Sequence, residues 1–312
     1  DGRNSMNSTI LCVKNLNKYY KNSIKANNNI TLEFNVGEIT ALIGHNGAGK
    51  TTLLNQIIGL IKPTSGSVLI NQMEVTNKPS IARRLVSSMP QFQLPLKGVS
   101  VFQSIESVLR IKGFSKKISR KKAEDIIDFL QINQWQNVSG EKLSGGLQRL
   151  TSFAMSVTSD SPIIVLDEPT NDVDPIKKLL MWKYLRKLAD NGTIIIIVTH
   201  NLLEVEKYAN RYILLDKGCV KADVKIDNKS SSSRHLLSIL GIEKNDTELF
   251  SCFSNMKYYN EERKMIIALE DKEVIKAVDL LLMILKEKKA TNYDMKIGSL
   301  YESYEEMVGR ND

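Results

Sequence analysis

The stretch Gly44–Thr51 reads G-H-N-G-A-G-K-T and constrains the fold of this 312-residue chain more than any other. It matches G-x-x-x-x-G-K-[ST]. An apolar, strand-like run, Ile39–Gly44, precedes it, and a helix over Thr51–Leu60 comes after it, closed by Gly59 and Pro63. Gly44, Gly47 and Gly49 let backbone N–H groups turn inward around phosphate oxygens, with His45, Asn46 and Ala48 between them. The helix start, Lys50 to Thr52, adds a positive field. Lys50 supplies a point charge for β- and γ-phosphates, and Thr51 a hydroxyl for Mg²⁺.

A second apolar run, Ile163–Leu166, ends in Asp167, Glu168 and Pro169. Acids at the C-terminal tip of a buried parallel strand sit where ligands bind in open α/β sheets. Asp167 is placed to hold Mg²⁺. Glu168 points elsewhere and is the candidate general base that polarises an attacking water.

Apolar residues make up 42% and charged residues 25% of the chain, ordinary values for a globular protein. The longest apolar run is Leu280–Leu285, far short of the ~20 residues of a membrane-spanning helix. Asp1–Thr9 lacks the apolar core of a signal peptide, and Met6 is a candidate start residue. The three cysteines, Cys12, Cys219 and Cys252, have no metal-ligand spacing and read as reduced structural thiols. The net charge is +8, densest from Lys112 to Lys122, where Ser115 and Ser119 read as helix caps. Without interleaved aromatics this stretch reads as a solvated helix start, and no nucleic-acid partner is expected.

Short strands are predicted over residues 10–40, then after Gly66, and again at Ile163–Leu166 and Ile194–Val198, with a helix over Pro175–Leu188 between the last two. Residues 98–158 carry apolar positions at helical spacing and read as a helical insert. The polar stretch Asp227–Ser233 reads as a linker. After it come a strand at Met265–Leu269 and a helix over 271–288. The expected fold class is α/β.

Leu143–Gln148 reads L-S-G-G-L-Q, and Asn171–Pro175 reads N-D-V-D-P. With the phosphate loop and L-D-E-P-T, in this order, these segments closely resemble the ABC ATPases over roughly residues 10–225. The resemblance implies a P-loop fold with an antiparallel β subdomain, a mostly parallel core sheet and a helical subdomain. It divides the chain into a cassette over residues 8–226 and a small α+β C-terminal extension over 227–312. It makes Gln91 the Q-loop glutamine and a metal-site residue, His200 the switch histidine, and Tyr20 (with Tyr19 as alternative) the ring stacked on adenine. Leu143, Ser144, Gly145, Gly146 and Gln148 become the signature that contacts ATP held by a second copy, and Asn171 and Asp174 the D-loop. Asp172 and Val173 stand where G-L is common, which bears on the turn and on contacts across the dimer.

The implied cofactors are ATP and Mg²⁺. The implied partners are a membrane permease and a second ATPase subunit, in a homodimer or heterodimer. The implied place is the cytoplasmic face of the membrane. T-N-D-V-D-P is nearer the export type, and Ser299–Met307 loosely resembles the S-L-E-D-x-F tail motif of subunits exporting drugs or lantibiotics. The groove around Phe92–Phe102 is expected to receive a helix of the permease. An importer ATPase, or a soluble ATPase acting on ribosomes or DNA, is the alternative.

Overall fold

The computed structural model describes residues 10–20, 25–91, 97–226, 235–253, 256–287 and 289–297. The expectations for Asp1–Ser5, Phe92, the linker Asp227–Ser233 and the tail motif Ser299–Met307 lie outside the described residues. The chain divides into two compact units, residues 1–200 with 208–226, and residues 201–207 with 227–312.

In the first unit, β1 (Leu11–Tyr19) and β2 (Lys25–Phe34) form an antiparallel pair, in which Leu11, Val13, Leu16, Ile30, Leu32 and Phe34 are buried. β3 (Ile39–Ile43) is buried throughout and runs into the phosphate loop. α1 (Lys50–Ile58) ends at Gly59, whose left-handed backbone (φ +78°) lets its N–H bond the carbonyls of Asn55 and Gln56. β4 (Ser65–Ile70) and β5 (Met73–Glu74) complete a four-stranded sheet in the order β2-β1-β4-β5. α2 (Pro79–Leu85) leads into β6 (Val86–Met89).

Three helices come next, as the spacing predicts: α3 (Val101–Ile111), α4 (Lys116–Phe129) and α5 (Gly145–Val157). Each begins at a serine, Ser100, Ser115 and Ser144, whose side chain accepts a backbone N–H of the first turn. Ser119, expected to be a cap, lies instead inside α4, fully buried with its hydroxyl unpaired. It is buried in the same helix as Ala123, Ile126 and Ile127, whereas Ser115 stands one residue before the helix.

β7 (Ile163–Asp167), α6 (Pro175–Asp190), β8 (Ile194–Val198), α7 (Leu202–Tyr208), β9 (Arg211–Asp216) and β10 (Cys219–Lys225) succeed one another along the chain. The six-stranded sheet has the order β10-β9-β3-β8-β7-β6. β9, β3, β8, β7 and β6 pair in parallel, and β10 closes one edge antiparallel to β9. β6 is a strand that periodicity misses, because V-S-S-M is short and half polar. Trp182 of α6 is 2% exposed and stacks on Tyr208 at 5.0 Å. Arg186, one turn on, donates to the Gly37 carbonyl and to Asn210 Oδ1, each at 2.8 Å.

The second unit is richer in strands than periodicity predicts. β11 (His235–Leu240), β12 (Met256–Tyr259), β13 (Lys264–Leu269) and β14 (Asn292–Ile297) form an antiparallel sheet in the order β12-β13-β11-β14. α8 (Val274–Lys286) contributes Ala277, Leu281 and Ile284 to a core with Leu237, Ile239 and Ile267. The three cysteines are free, but Cys252 is exposed, so the structural reading fails for that thiol.

Trp182→Ala is expected to destabilise the first unit by about 3–5 kcal/mol in denaturant unfolding, the range for deleting a buried large ring. A loss below about 1 kcal/mol would show that the ring does not anchor α6.

Candidate nucleotide site

Parallel pairing points the C-terminal ends of β9, β3, β8, β7 and β6 to one edge of the sheet. Side by side along that edge stand Asp216, the loop Gly44–Gly49, His200, the pair Asp167 and Glu168, and Gln91. Residues far apart in sequence are therefore neighbours because of strand order alone.

The loop is built by close backbone approach. Gly49 has φ +100°, and a Cβ there would collide with the Ala26 carbonyl at the start of β2. Asn27, fully buried, donates to the Gly49 carbonyl at 3.1 Å and accepts from Gln56 of α1 at 2.7 Å. Ala48 is buried, and its carbonyl accepts the Gly218 N–H at 3.1 Å. Lys50 is 6% exposed, and its ammonium donates to the carbonyls of Gly44 at 2.7 Å and His45 at 2.9 Å. Burial pulls its pKa down, while the charges of Glu168 and Asp167 push the other way. Thr52 is half-buried in the first turn of α1, and its carbonyl accepts from Gln56 at 3.2 Å.

His45 departs from the expected picture. Its Nε2 lies 2.7 Å from Asp216 Oδ1, and its Nδ1 lies 2.7 Å from the Asn46 carbonyl. The ring is thus engaged with the end of β9 and with its own loop.

The Thr51 hydroxyl donates to Asp167 Oδ2 at 3.1 Å. Burial raises the Asp167 pKa, and the Thr51 hydrogen bond and the charges of Lys50 and Arg149 lower it. These two adjacent oxygen donors fit Mg²⁺, which takes oxygen ligands and keeps several waters and phosphate oxygens. No group of three or more His, Cys, Asp or Glu able to hold a metal occurs among the described residues, so an all-protein cage is not offered there.

Glu168 is 2% exposed, and neither carboxylate oxygen has a hydrogen-bond partner of ordinary geometry among the described residues. Burial, and next the charge of Asp167, push its pKa up to about 7, against the His200 backbone, Lys50 and Arg149. His200 Nε2 approaches Glu168 Oε1 at 3.2 Å. Burial and the Lys50 charge lower the His200 pKa, which disfavours the charged imidazole. The Glu168 backbone has φ +52°, a left-handed conformation costing about 1–3 kcal/mol for a non-glycine residue. Its N–H donates to the Val198 carbonyl at 2.9 Å, and its carbonyl accepts from Arg149 Nη1 at 2.7 Å.

The signature and D-loop residues meet within one chain. Ser144 caps α5 by accepting the Leu147 N–H at 3.4 Å. Gly146 lies against the Asp172 carbonyl with no room for a Cβ, whereas nothing lies within 4 Å of a Cβ built at Gly145. Leu143 is buried, and its carbonyl accepts from Gln148 Nε2 at 3.0 Å, so that side chain folds back on the signature. Asn171 is exposed. Asp172 takes the left-handed backbone, φ +60°, where glycine is common in the family, and Val173 is buried. Asp174 caps α6, accepting the Lys177 N–H at 3.0 Å.

Gln91 is exposed, and its carbonyl accepts from Arg149 Nη2 at 3.2 Å. Tyr20 is exposed at the end of β1, with Lys18 Nζ 5.3 Å from its ring centre. Tyr19 pairs with Lys25, one residue before the Ala26 carbonyl that abuts Gly49. Sequence reasoning missed Asn27, Arg149 and Asp216. Only Arg149 carries a signal, its place one turn beyond the signature serine on α5.

Residues 27–171 match the model of the family described as ABC transporter. The chain is 34% identical over 209 residues to the retinal-specific phospholipid-transporting ATPase ABCA4 of Mus musculus, covering 67% of this chain and 9% of that protein. It thus spans about a tenth of that relative. It is 31% identical over 205 residues to the Nod factor export ATP-binding protein I of Burkholderia orbicola, covering 66% of this chain and 67% of that one. Its fold superposes with a TM-score of 0.65, at 28% identity, on the post-hydrolysis dimer of the ATP-binding cassette MJ0796 bound to ADP and Pi, covering 70% of this chain and 99% of that one. Relatives that match along most of the cassette, and a site edge carrying the same motifs in the same order, establish that this chain belongs to the ABC transporter family of ATPases.

Proposed function

We propose that the chain is the ATP-hydrolysing subunit that powers export of a substrate, a drug, peptide antibiotic or similar molecule, through a separate membrane permease. Residues 8–226 form the cassette in this reading, and 227–312 an extension. The observation that carries it is Glu168, a buried acid whose carboxylate has His200 Nε2 at 3.2 Å beside it and stands next to the lysine-bearing phosphate loop. A buried carboxylate is costly unless its hydrogen bonding is completed, and an attacking water contributes to that.

In this mechanism the loop N–H groups and Lys50 hold the β- and γ-phosphates, and Tyr20 or Tyr19 stacks on the adenine. Thr51, Asp167 and Gln91 would hold Mg²⁺, which when bound neutralises charge on phosphate oxygens. Glu168 accepts hydrogen bonding from the water that attacks the γ-phosphate, and His200, 3.2 Å away, orients the same water and the γ-phosphate. Ser144, Gly145 and Gly146 of a second copy close on that phosphate, so that ATP joins two subunits and its hydrolysis releases them. Asn171 and Asp174 lie beside that junction.

No helix among the described residues is long and apolar enough to cross a membrane. A cleft of about 310 Å³ opens next to Gln91, lined among others by Leu60, Arg83, Pro90, Val108, Lys112 and Met155. The groove around Phe92–Phe102, beside the same Gln91, is the proposed seat of a permease helix, which would hold the chain at the cytoplasmic face of the membrane. Export rather than import is supported by T-N-D-V-D-P and by the name of the Burkholderia relative.

Glu168→Gln is expected to leave ATP binding within about twofold and to lower turnover by about 10²–10⁴-fold, the range for losing a general base. Wild-type turnover in this variant would refute the base assignment. Affinity purification from native membranes is expected to bring down a protein with several spans. Recovery of ribosomal RNA instead, or of a permease that takes up rather than expels its substrate, would overturn export.

A further inference from the structure

The geometry points to Arg149 as a positioning residue for hydrolysis, one that fixes Glu168 and ties it to the cleft beside Gln91. This inference rests on the hydrolytic reading above. Its guanidinium forks onto two backbone carbonyls, Glu168 at 2.7 Å and Gln91 at 3.2 Å. Glu168 holds a left-handed conformation although proline comes directly after it, a neighbour that favours extended backbone at the residue before it. Such a conformation persists only where its surroundings over-determine it. Strand β8 pins the N–H of Glu168 through the Val198 carbonyl. Its carbonyl is held by Arg149 at 2.7 Å, and the Asn171 N–H approaches it at 3.5 Å. With both polar backbone groups fixed, the carboxylate keeps its aim.

The position of Arg149 on α5 extends this role. Ser144 caps the start of the helix, and Ser152, Met155 and Ser156 further along it line the cleft together with Pro90. Ser156 also donates to the Ser88 carbonyl of β6 at 3.1 Å. Arg149 stands between the signature tip and the cleft wall, on the same rigid element. A cleft occupant that displaces Pro90 and Gln91, or turns α5, changes the fork and with it the support under Glu168.

Two variants and two readouts test this. Arg149→Met keeps a long stem but loses the charge and all donors. Arg149→Lys keeps the charge, but a single ammonium does not fork onto two carbonyls. Arg149→Met is expected to lower kcat for ATP by about ten- to hundredfold while KM stays within about twofold and the unfolding midpoint is unchanged. Arg149→Lys should recover part of that loss. Amide exchange at Glu168 and Asn171 should accelerate in Arg149→Met, a readout independent of turnover. Unchanged kcat, or a joint fall of kcat, ATP affinity and unfolding midpoint in both variants, would overturn the positioning role. If the wild-type chain releases no phosphate, the hydrolytic reading fails by itself. Amide exchange then decides the fork alone, and equal exchange in variant and wild type overturns it.

Discussion

Parallel pairing of β3 with β8 and β9, and of β7 with β8 and β6, is the constraint on which the site depends. Parallel strands must all end at the same edge, so each strand delivers the residues just past its C-terminus to one line. The phosphate loop, Asp167, Glu168, His200, Gln91 and Asp216 are contributed in this way. The isoleucine- and valine-rich interiors of β7 and β8 are the other half of the same arrangement. They are buried on both faces, which holds the edge rigid and leaves the polar groups only at its tips.

That edge concentrates groups whose isolation is unfavourable. Lys50, Asp167 and Glu168 are each nearly buried; the Lys50 charge opposes the desolvation of both acids, whereas the Asp167 charge adds to it at Glu168. Lys50 rests on two loop carbonyls, and the Glu168 carboxylate has His200 Nε2 beside it at 3.2 Å. Two left-handed non-glycine residues, Glu168 and Asp172, sit four positions apart. Around them, backbone contacts hold the strain: Val198 and Arg149 at Glu168, and Gly146 packed onto the Asp172 carbonyl. The phosphate-binding loop is braced similarly, by Asn27 and by the turn at Gly218. Polar groups poised for a ligand and a backbone held under strain are what a site that closes on nucleotide requires.

The contiguous motifs were legible because their chemistry forces neighbouring residues into fixed roles. A glycine loop needs its lysine next to it, and a strand tip needs its acids in a row. β6 was not legible, since two serines in a four-residue strand erase its periodicity. The second unit was read as one strand and a helix, because β11, β12 and β14 are short or carry polar residues on both sides of any alternation. Arg149, Asn27 and Asp216 act across long sequence separations, on backbone or on a single ring, and leave no local pattern. His45 stands inside the motif, yet its ring turns to Asp216, a choice made by β9 and invisible in the loop itself.

In the proposed reading, the adjacent oxygens of Thr51 and Asp167 and the buried acid one residue beyond form a metal-assisted hydrolytic centre. The direct measurement is phosphate release from ATP by the purified chain, first with Mg²⁺ and then with the metal chelated. Release that requires Mg²⁺ is the expected result. Nucleotide bound at the loop with no phosphate released, alone or with the proposed membrane partner, or release indifferent to chelation, would contradict a hydrolytic centre built from these residues.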